Sequence, residues 1–208
     1  MFNKRVGVLI LLLAVSVGVI GTSAKADISF VTVESESKEC EDLLYYKLQS
    51  LPENVLHGLQ REVKFSIKSD EVVKGDWNSM SNDSKDVLAY YTYTRGSSTN
   101  KNTDRSIVLR QDYSGLDEVL HEVGHYIDER TGNPSNSEQF RDLFTKYSQY
   151  FGAYAMTSKE ECFATMYKDC ITYPEYVISI HPDIYGFVME KSRRINSEDP
   201  TMGNSVGL

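Results

Sequence analysis

The chain has 208 residues, of which 22 are lysine or arginine and 30 are aspartate or glutamate, and its formal net charge is −8 at pH 7. This acidic balance argues against nucleic acid as a partner and against stable association with an anionic membrane. The length suits one domain of ordinary size, which can bury a core without disulfide bonds.

The first 26 residues are predicted to be a signal peptide. Lys4 and Arg5 form a positive start, residues 6–20 are almost uninterrupted apolar sequence, and residues 24–26 (Ala-Lys-Ala) fit the small-any-small pattern of a cleavage site. Cleavage would leave 19 basic and 30 acidic residues, a formal charge of −11. We therefore expect a secreted, extracellular monomer with one domain at 27–195 and a polar C-terminal tail at 196–208. An uncleaved N-terminal anchor is the alternative.

The pattern of apolar residues predicts strands first and helices afterwards. Alternating, β-branched-rich stretches predict strands at 28–33, 63–67, 87–94 and 106–110. Helical periodicity predicts helices at 40–51, 52–61, 137–151, 158–170 and 182–193, and the polar run at 96–103 predicts a loop. The expected fold class is α+β, with a small mixed sheet in the N-terminal half and a mostly helical C-terminal half.

Three cysteines, Cys40, Cys162 and Cys170, make an odd count, which excludes a full disulfide framework. Cys162 and Cys170 are predicted to lie on one helix, too far apart for a bridge. Their spacings match no zinc-cysteine motif, so we expect buried free thiols.

The most informative motif is His121-Glu122-Val123-Gly124-His125, within a predicted helix that ends near Thr131. Histidines four residues apart lie on one helical face, so both imidazoles can reach one metal ion, while the intervening glutamate can act on a water. This arrangement predicts the core of a zinc-dependent peptidase. The pentapeptide also arises by chance, but an apolar stripe and Ser114 as a predicted N-cap favour a packed helix.

A third zinc ligand is needed, and Glu161 is the best candidate. Thr157 and Glu160 form a predicted capping box, which leaves Glu161 free to point elsewhere. The alternative is that Ser158 is the cap and Glu161 its partner. Small residues on both predicted helices, Gly124 on one and Ala164 with its neighbour Thr165 on the other, would allow a close approach. The other histidines, His57 and His181, have no motif around them and are expected to be surface or packing residues.

The metal helix, followed by Tyr154 and then Glu161 seven residues later with Phe163-Ala164 after it, resembles the catalytic domain of anthrax lethal factor-type zinc metallopeptidases. Single-domain size and a signal peptide resemble the small secreted clostridial Pro-Pro endopeptidases of that group. The resemblance covers about residues 116–194 and is weak before 106. It implies a zincin-like fold with His121, His125 and Glu161 as Zn²⁺ ligands, Glu122 as general base and Tyr154 as an assisting tyrosine.

The expected function is therefore a secreted zinc metalloendopeptidase that hydrolyses protein or peptide substrates of the extracellular space, at proline-containing sites by resemblance. Two alternatives stay open, namely a non-catalytic binding module on the same fold and a toxin component acting on host proteins. The strand at 106–110 is predicted to be a sheet edge that pairs with substrate.

Three supporting assignments are also made from the sequence. Asp128 either orients a ligating histidine or is a solvated carboxylate. Trp77 is expected to anchor a core, with a platform for substrate proline as the alternative. Tyr147 and Tyr150 are expected to be packing residues, in contrast to Tyr154.

Overall fold

The computed structural model describes residues 33–80, 86–94 and 103–196 of the chain. The predicted signal peptide, residues 28–32 of the first predicted strand, most of the loop at 96–103 and residues 197–208 of the predicted tail lie outside the described residues. The architecture is mixed, with many helices and one small four-stranded sheet, so the predicted α+β class is confirmed.

The sheet is mixed, in the order β1 (Val33–Glu34), β2 (Val63–Lys68), β4 (Asp104–Arg110), β3 (Ala89–Thr94). β2 is parallel to both β1 and β4, whereas β3 is antiparallel to β4. The prediction that residues 106–110 form a sheet edge is therefore wrong. Three successive residues of β4, Ile107, Val108 and Leu109, are buried, which is the pattern of a central strand covered on both faces. The edge strand next to β4 is β3.

The helices are α1 (Lys38–Leu48), α2 (Glu53–Glu62), α3 (Asp70–Met80), α4 (Tyr113–Asp117), α5 (Val119–Arg130), α6 (Glu138–Tyr147), α7 (Lys159–Thr172), α8 (Pro174–Ile180) and α9 (Pro182–Arg193). Five of them confirm predicted helices, and α5 carries the histidine motif. The apolar pattern did not predict α3, and α8 lies between two predicted helices in a half that was expected to be mostly helical. Each buries a single apolar side chain, Val73 and Val177 respectively, and so lacks an apolar stripe.

The two faces of the sheet are covered differently. Phe65, Ile107 and Leu109 belong to the main core, which also contains residues of α1, α2, α5, α7 and α9. On the opposite face, Val108 and Tyr90 form a small cluster with Val73 and Trp77 of α3. Trp77 packs against Tyr90 with ring centroids 6.0 Å apart, which confirms its expected anchoring role.

The C-terminal helices pack around three phenylalanine rings. Phe140, Phe163 and Phe187 come from α6, α7 and α9, and their centroids lie 5.6 to 6.4 Å apart. Cys162 and Cys170 are free and buried, as predicted, whereas Cys40 is free but only half-buried. In the described part of the chain, no helix combines the length and apolar character needed for a membrane crossing.

Candidate metal centre

The histidine helix α5 begins one residue after a short helix, not at Ser114. Asp112 caps α4 by accepting a hydrogen bond from the backbone N–H of Gly115, at 2.7 Å. Ser114 lies inside α4, so its predicted N-cap role is wrong. Gly115 has no room for a side chain, because a Cβ there would lie 2.5 Å from the carbonyl oxygen of Arg110. This close contact holds α4, and through it the start of α5, against the end of β4.

Helix α7 begins at a cap that differs from the expected one. Ser158 is the N-cap, and its Oγ accepts a hydrogen bond from the backbone N–H of Glu161 at 3.1 Å. Thr157 is not available, since its hydroxyl donates to the Tyr154 carbonyl at 2.7 Å in the preceding turn. The predicted Thr157–Glu160 capping box is wrong, but the Glu161 side chain is still free of the cap, as expected. Only the backbone of Glu161 serves the cap, and its carboxylate points to α5.

Helices α5 and α7 touch at their two smallest residues. A Cβ on Gly124 would lie 2.7 Å from Cα of Ala164 and 3.2 Å from its Cβ. The predicted close approach of these helices is therefore confirmed, and it explains why α5 tolerates a mid-helix glycine that costs about 1 kcal/mol relative to alanine. This contact brings the Glu161 carboxylate within reach of both histidines.

Three donor atoms converge between the helices. Nε2 of His121 lies 3.1 Å from Nε2 of His125 and 2.9 Å from Oε2 of Glu161, and Nε2 of His125 lies 3.3 Å from the same oxygen. Ligand atoms 2.0–2.2 Å from a tetrahedral zinc are separated by roughly 3.3 Å. Two imidazoles and one carboxylate with this spacing thus fit a metal ion, and the three predicted ligands lie together.

The charges in this centre shift the pKa values of Glu161 and His125. Burial opposes ionisation of Glu161, but the two imidazoles outweigh this effect and hold its pKa well below the usual range. Burial also opposes protonation of His125, yet the carboxylates of Glu161 and Glu122 raise its pKa. Both shifts favour a negative carboxylate beside a positive charge, and a bound metal ion could take the place of the imidazole proton there.

Glu122 is 5% exposed and lies on α5 beside His121. Burial raises its pKa, an effect that the two histidines oppose and the Glu161 carboxylate reinforces. A carboxyl group in this environment is suited to receive a proton, because the protein surroundings favour its neutral form.

Tyr154 lies in a 3₁₀ turn, Tyr154–Met156, just before α7. Its ring centroid is 5.7 Å from that of His121, although the side chain is 55% exposed. Partial burial and the negative charge of Glu161 raise the pKa of its phenol, so it stays protonated at neutral pH and can donate a hydrogen bond. The structure thus brings Tyr154 to the centre from a segment that does not supply a ligand.

The remaining candidates lie away from the three donors. His57 is exposed on α2 near Glu53. The His181 ring is surrounded by aromatic rings, with its centroid 4.7 Å from that of Tyr147 and 5.5 Å from that of Tyr150. Both histidines therefore have the surface and packing places expected of them, and the two tyrosines lie outside the centre.

Asp128 has neither of its two expected environments. It is 4% exposed, and its carboxylate accepts hydrogen bonds from the Ser135 N–H at 2.9 Å and the Ser135 hydroxyl at 2.6 Å. Its role is to fix the turn after α5. The sequence did not predict that Thr165 Oγ1 lies 3.5 Å from Nδ1 of His121. The sequence signal for this contact was the position of Thr165, one helical turn after Glu161.

Comparison with protein-family models and with curated proteins gives no match to this chain. The fold and the site together define a mixed α+β protein with a candidate metal centre. The side chains of His121, His125 and Glu161 could hold a metal ion there, since their ligand atoms lie within 4.8 Å of one another.

Proposed function

We propose that this protein is a secreted zinc metalloendopeptidase with a zincin-like fold. The observation that carries the proposal is the meeting of His121, His125 and Glu161 atoms at 2.9 to 3.3 Å beside a buried glutamate on the same helix. Two imidazole nitrogens and one carboxylate form a donor set that zinc peptidases use. A zinc ion held there would supply a Lewis acid for a carbonyl oxygen and for a water.

Two further side chains have distinct proton roles in this proposal. Glu122 takes a proton from the attacking water and later gives it to the leaving amine, for which its raised pKa suits it. Tyr154 keeps its proton and donates a hydrogen bond to the oxygen that becomes negative during attack. Thr165 Oγ1 lies 3.5 Å from Nδ1 of His121, the ring nitrogen that does not face Glu161, and could help to orient the ring.

The edge strand β3 is proposed to bind the substrate backbone. Among the described strands it pairs only with β4, and its Tyr91 packs on Tyr126 of α5, with ring centroids 6.4 Å apart. An extended peptide can add to such an edge by backbone hydrogen bonds. Hydrogen exchange should therefore slow at β3 when an uncut peptide binds, and unchanged exchange there would assign the substrate to another surface.

The substrate class is proposed from resemblance and charge together. Proline-containing segments of extracellular or surface proteins are the leading candidates, and the protein acts as a monomer released after cleavage at residue 26. The formal charge of −11 for residues 27–208 adds a preference for basic segments.

Cleavage of a diverse peptide library tests the proposal. Residues 27–208 with zinc should cut peptides, a chelator should stop the reaction, and Glu122→Gln should bind zinc without cutting. A wild-type protein that binds zinc and peptide but cuts nothing would instead favour the non-catalytic binding module. Cuts indifferent to proline would refute only the proposed specificity.

A further inference from the structure

A pocket of about 460 Å³ lies between the C-terminal end of α1 and the C-terminal half of α7. Leu56, Leu120 and Ile171 give it apolar walls, and two tyrosines, Tyr46 and Tyr173, line it while remaining 70% and 60% exposed. None of the three candidate metal ligands lines the pocket, but Leu120 immediately precedes His121. It is thus a separate cavity next to the first turn of α5.

The basic side chains of the pocket are already neutralised. Lys47 pairs closely with Asp117, and its Nζ lies 5.2 Å from the centre of the Tyr113 ring. Lys168 pairs with Glu118 at 3.0 Å and lies 3.8 Å from Asp117. An anion entering the pocket would have to compete with these carboxylates for the two ammonium groups.

Asp169 is the acidic side chain of the pocket that has no partner among the described residues. It is half-buried, and its carboxylate makes no hydrogen bond or ion pair with any residue that the structure describes. Burial raises its pKa, and the nearby charge of Lys168 offsets only part of that effect. Because burying a carboxylate without a partner is unfavourable, an incoming cation would relieve this cost.

The walls match one kind of cation. An arginine side chain has a long aliphatic stem, which apolar walls can cover, and a flat guanidinium that stacks on tyrosine and donates to a carboxylate in parallel. Residues 27–32 and 197–208 contain no lysine or arginine, so these parts of the chain cannot supply it.

We propose that this pocket binds a basic side chain, arginine in preference to lysine, of a protein or peptide partner. We propose further that the partner is the substrate, because Leu120 of the pocket wall directly precedes His121. This second step rests on the proposed peptidase function, whereas the binding itself does not. The acidic character of the whole chain would favour approach of such a segment.

A titration followed by NMR tests the binding step. Isotope-labelled residues 27–208 are titrated with N-acetyl-arginine amide, with the neutral N-acetyl-citrulline amide of the same shape, and with inorganic phosphate. The arginine compound should shift the backbone signals of Asp169 and Thr172, and Asp169→Asn should weaken binding at least about tenfold, as for a lost charge-assisted hydrogen bond. The matched control is Asp142→Asn, an exposed carboxylate on α6 that should change nothing.

Three results would overturn the proposal. The first is that the citrulline compound binds as tightly as the arginine compound. The second is that the Asp169→Asn variant keeps both wild-type affinity and an unchanged melting temperature. The third is that phosphate binds and the arginine compound does not, which would make the pocket an anion site. The substrate step is tested by kcat/KM for peptide pairs that differ in one arginine. Arginine binding without any peptide cleavage would support the proposed binding site and refute the peptidase function. Peptide cleavage without arginine binding would support the peptidase function and refute the binding site.

Discussion

Helix α5 carries two clusters of ionisable side chains that are built on opposite principles. Near its N-terminus, His121 and His125 face Glu161, and no lysine or arginine ion pair reaches these three among the described residues. At its C-terminus, Glu129 and Arg130 join a chain of matched pairs. Arg105 donates two hydrogen bonds to Glu129 at 2.8 and 3.2 Å, and Arg130 donates two to Glu62 at 2.8 and 3.3 Å.

The difference shows which cluster could accept a cation from solution. In the second cluster every carboxylate meets a guanidinium in two-point geometry, and Tyr91 donates a further hydrogen bond to Glu129 at 3.1 Å. That cluster is complete and serves to join α2, α5, β3 and β4. In the first, two imidazoles and one carboxylate lie 2.9 to 3.3 Å from one another, a donor set that could accept a metal ion.

The largest stability effect should come from breaking the complete cluster. Arg105→Ala leaves the Glu129 carboxylate, whose side chain is 11% exposed, without its bidentate partner, so the free energy of unfolding should fall by about 3–5 kcal/mol. His125→Ala in the presence of a chelator should change it by no more than about 1 kcal/mol, since His121 remains beside Glu161. Urea unfolding of both variants measures the two changes in the free energy of unfolding. A larger loss in His125→Ala than in Arg105→Ala would refute the contrast between the two clusters.

The next largest effect should be on the reaction rate, and it separates Tyr154 from the other tyrosines. Tyr154→Phe removes a donor that acts mainly in the transition state, so kcat should fall about 10²–10³-fold, or roughly 3–4 kcal/mol, with KM nearly unchanged. Zinc content and melting temperature should stay the same because the ring remains. Tyr150→Phe is the matched control, and equal kcat values for the two variants would remove Tyr154 from the proposed mechanism.

The helix contact beneath the centre gives an intermediate effect. Gly124→Ala places a Cβ against the backbone of Ala164, so it should destabilise the protein by about 1–3 kcal/mol and weaken zinc binding by moving Glu161. Gly186→Ala in α9 is the control, because a Cβ there meets nothing within 4 Å and should stabilise the helix by about 0.5–1 kcal/mol. If unfolding curves and zinc titrations give the same stability and the same zinc affinity for both variants, the tight contact between α5 and α7 is contradicted.

The smallest effect concerns thiols, one of which follows Glu161 directly. Burial raises the pKa of both Cys162 and Cys170 to about 12, so at pH 8 these thiols stay protonated and unreactive. Iodoacetamide should therefore label half-buried Cys40 in the folded protein and spare the other two until denaturant is added. Mass spectrometry that finds early labelling of Cys162 would show that this end of α7 opens readily.

The sequence predicted the candidate metal centre better than it predicted the residues around that centre. His121 and His125 follow from helical spacing, and the small pair Gly124 and Ala164 was a usable signal for a helix contact. The cap at Ser158 was misassigned because Thr157 and Ser158 are chemically alike, and only the hydrogen bond from Thr157 to the Tyr154 carbonyl distinguishes them. Such a choice depends on the turn that precedes the helix.

The long-range features could not be read from local pattern. The place of β4 in the middle of the sheet depends on which strands pair with it, and alternation alone does not specify neighbours. The cluster of Glu62, Arg105, Glu129 and Arg130 joins residues up to 68 positions apart in the chain. Asp128 looked like a partner of His125 by helical spacing, but its carboxylate is taken by Ser135 in the following turn.

The central claim is that His121 and His125 of α5, with Glu161 of α7 as the third ligand, form a zinc site. Metal analysis and zinc titration of residues 27–208 test it most directly. We expect one tightly bound zinc per chain, strong loss of binding in His121→Ala and Glu161→Ala, and retained zinc in Glu122→Gln. Full zinc occupancy in the Glu161→Ala variant, or no zinc in the wild-type protein, would contradict the claim.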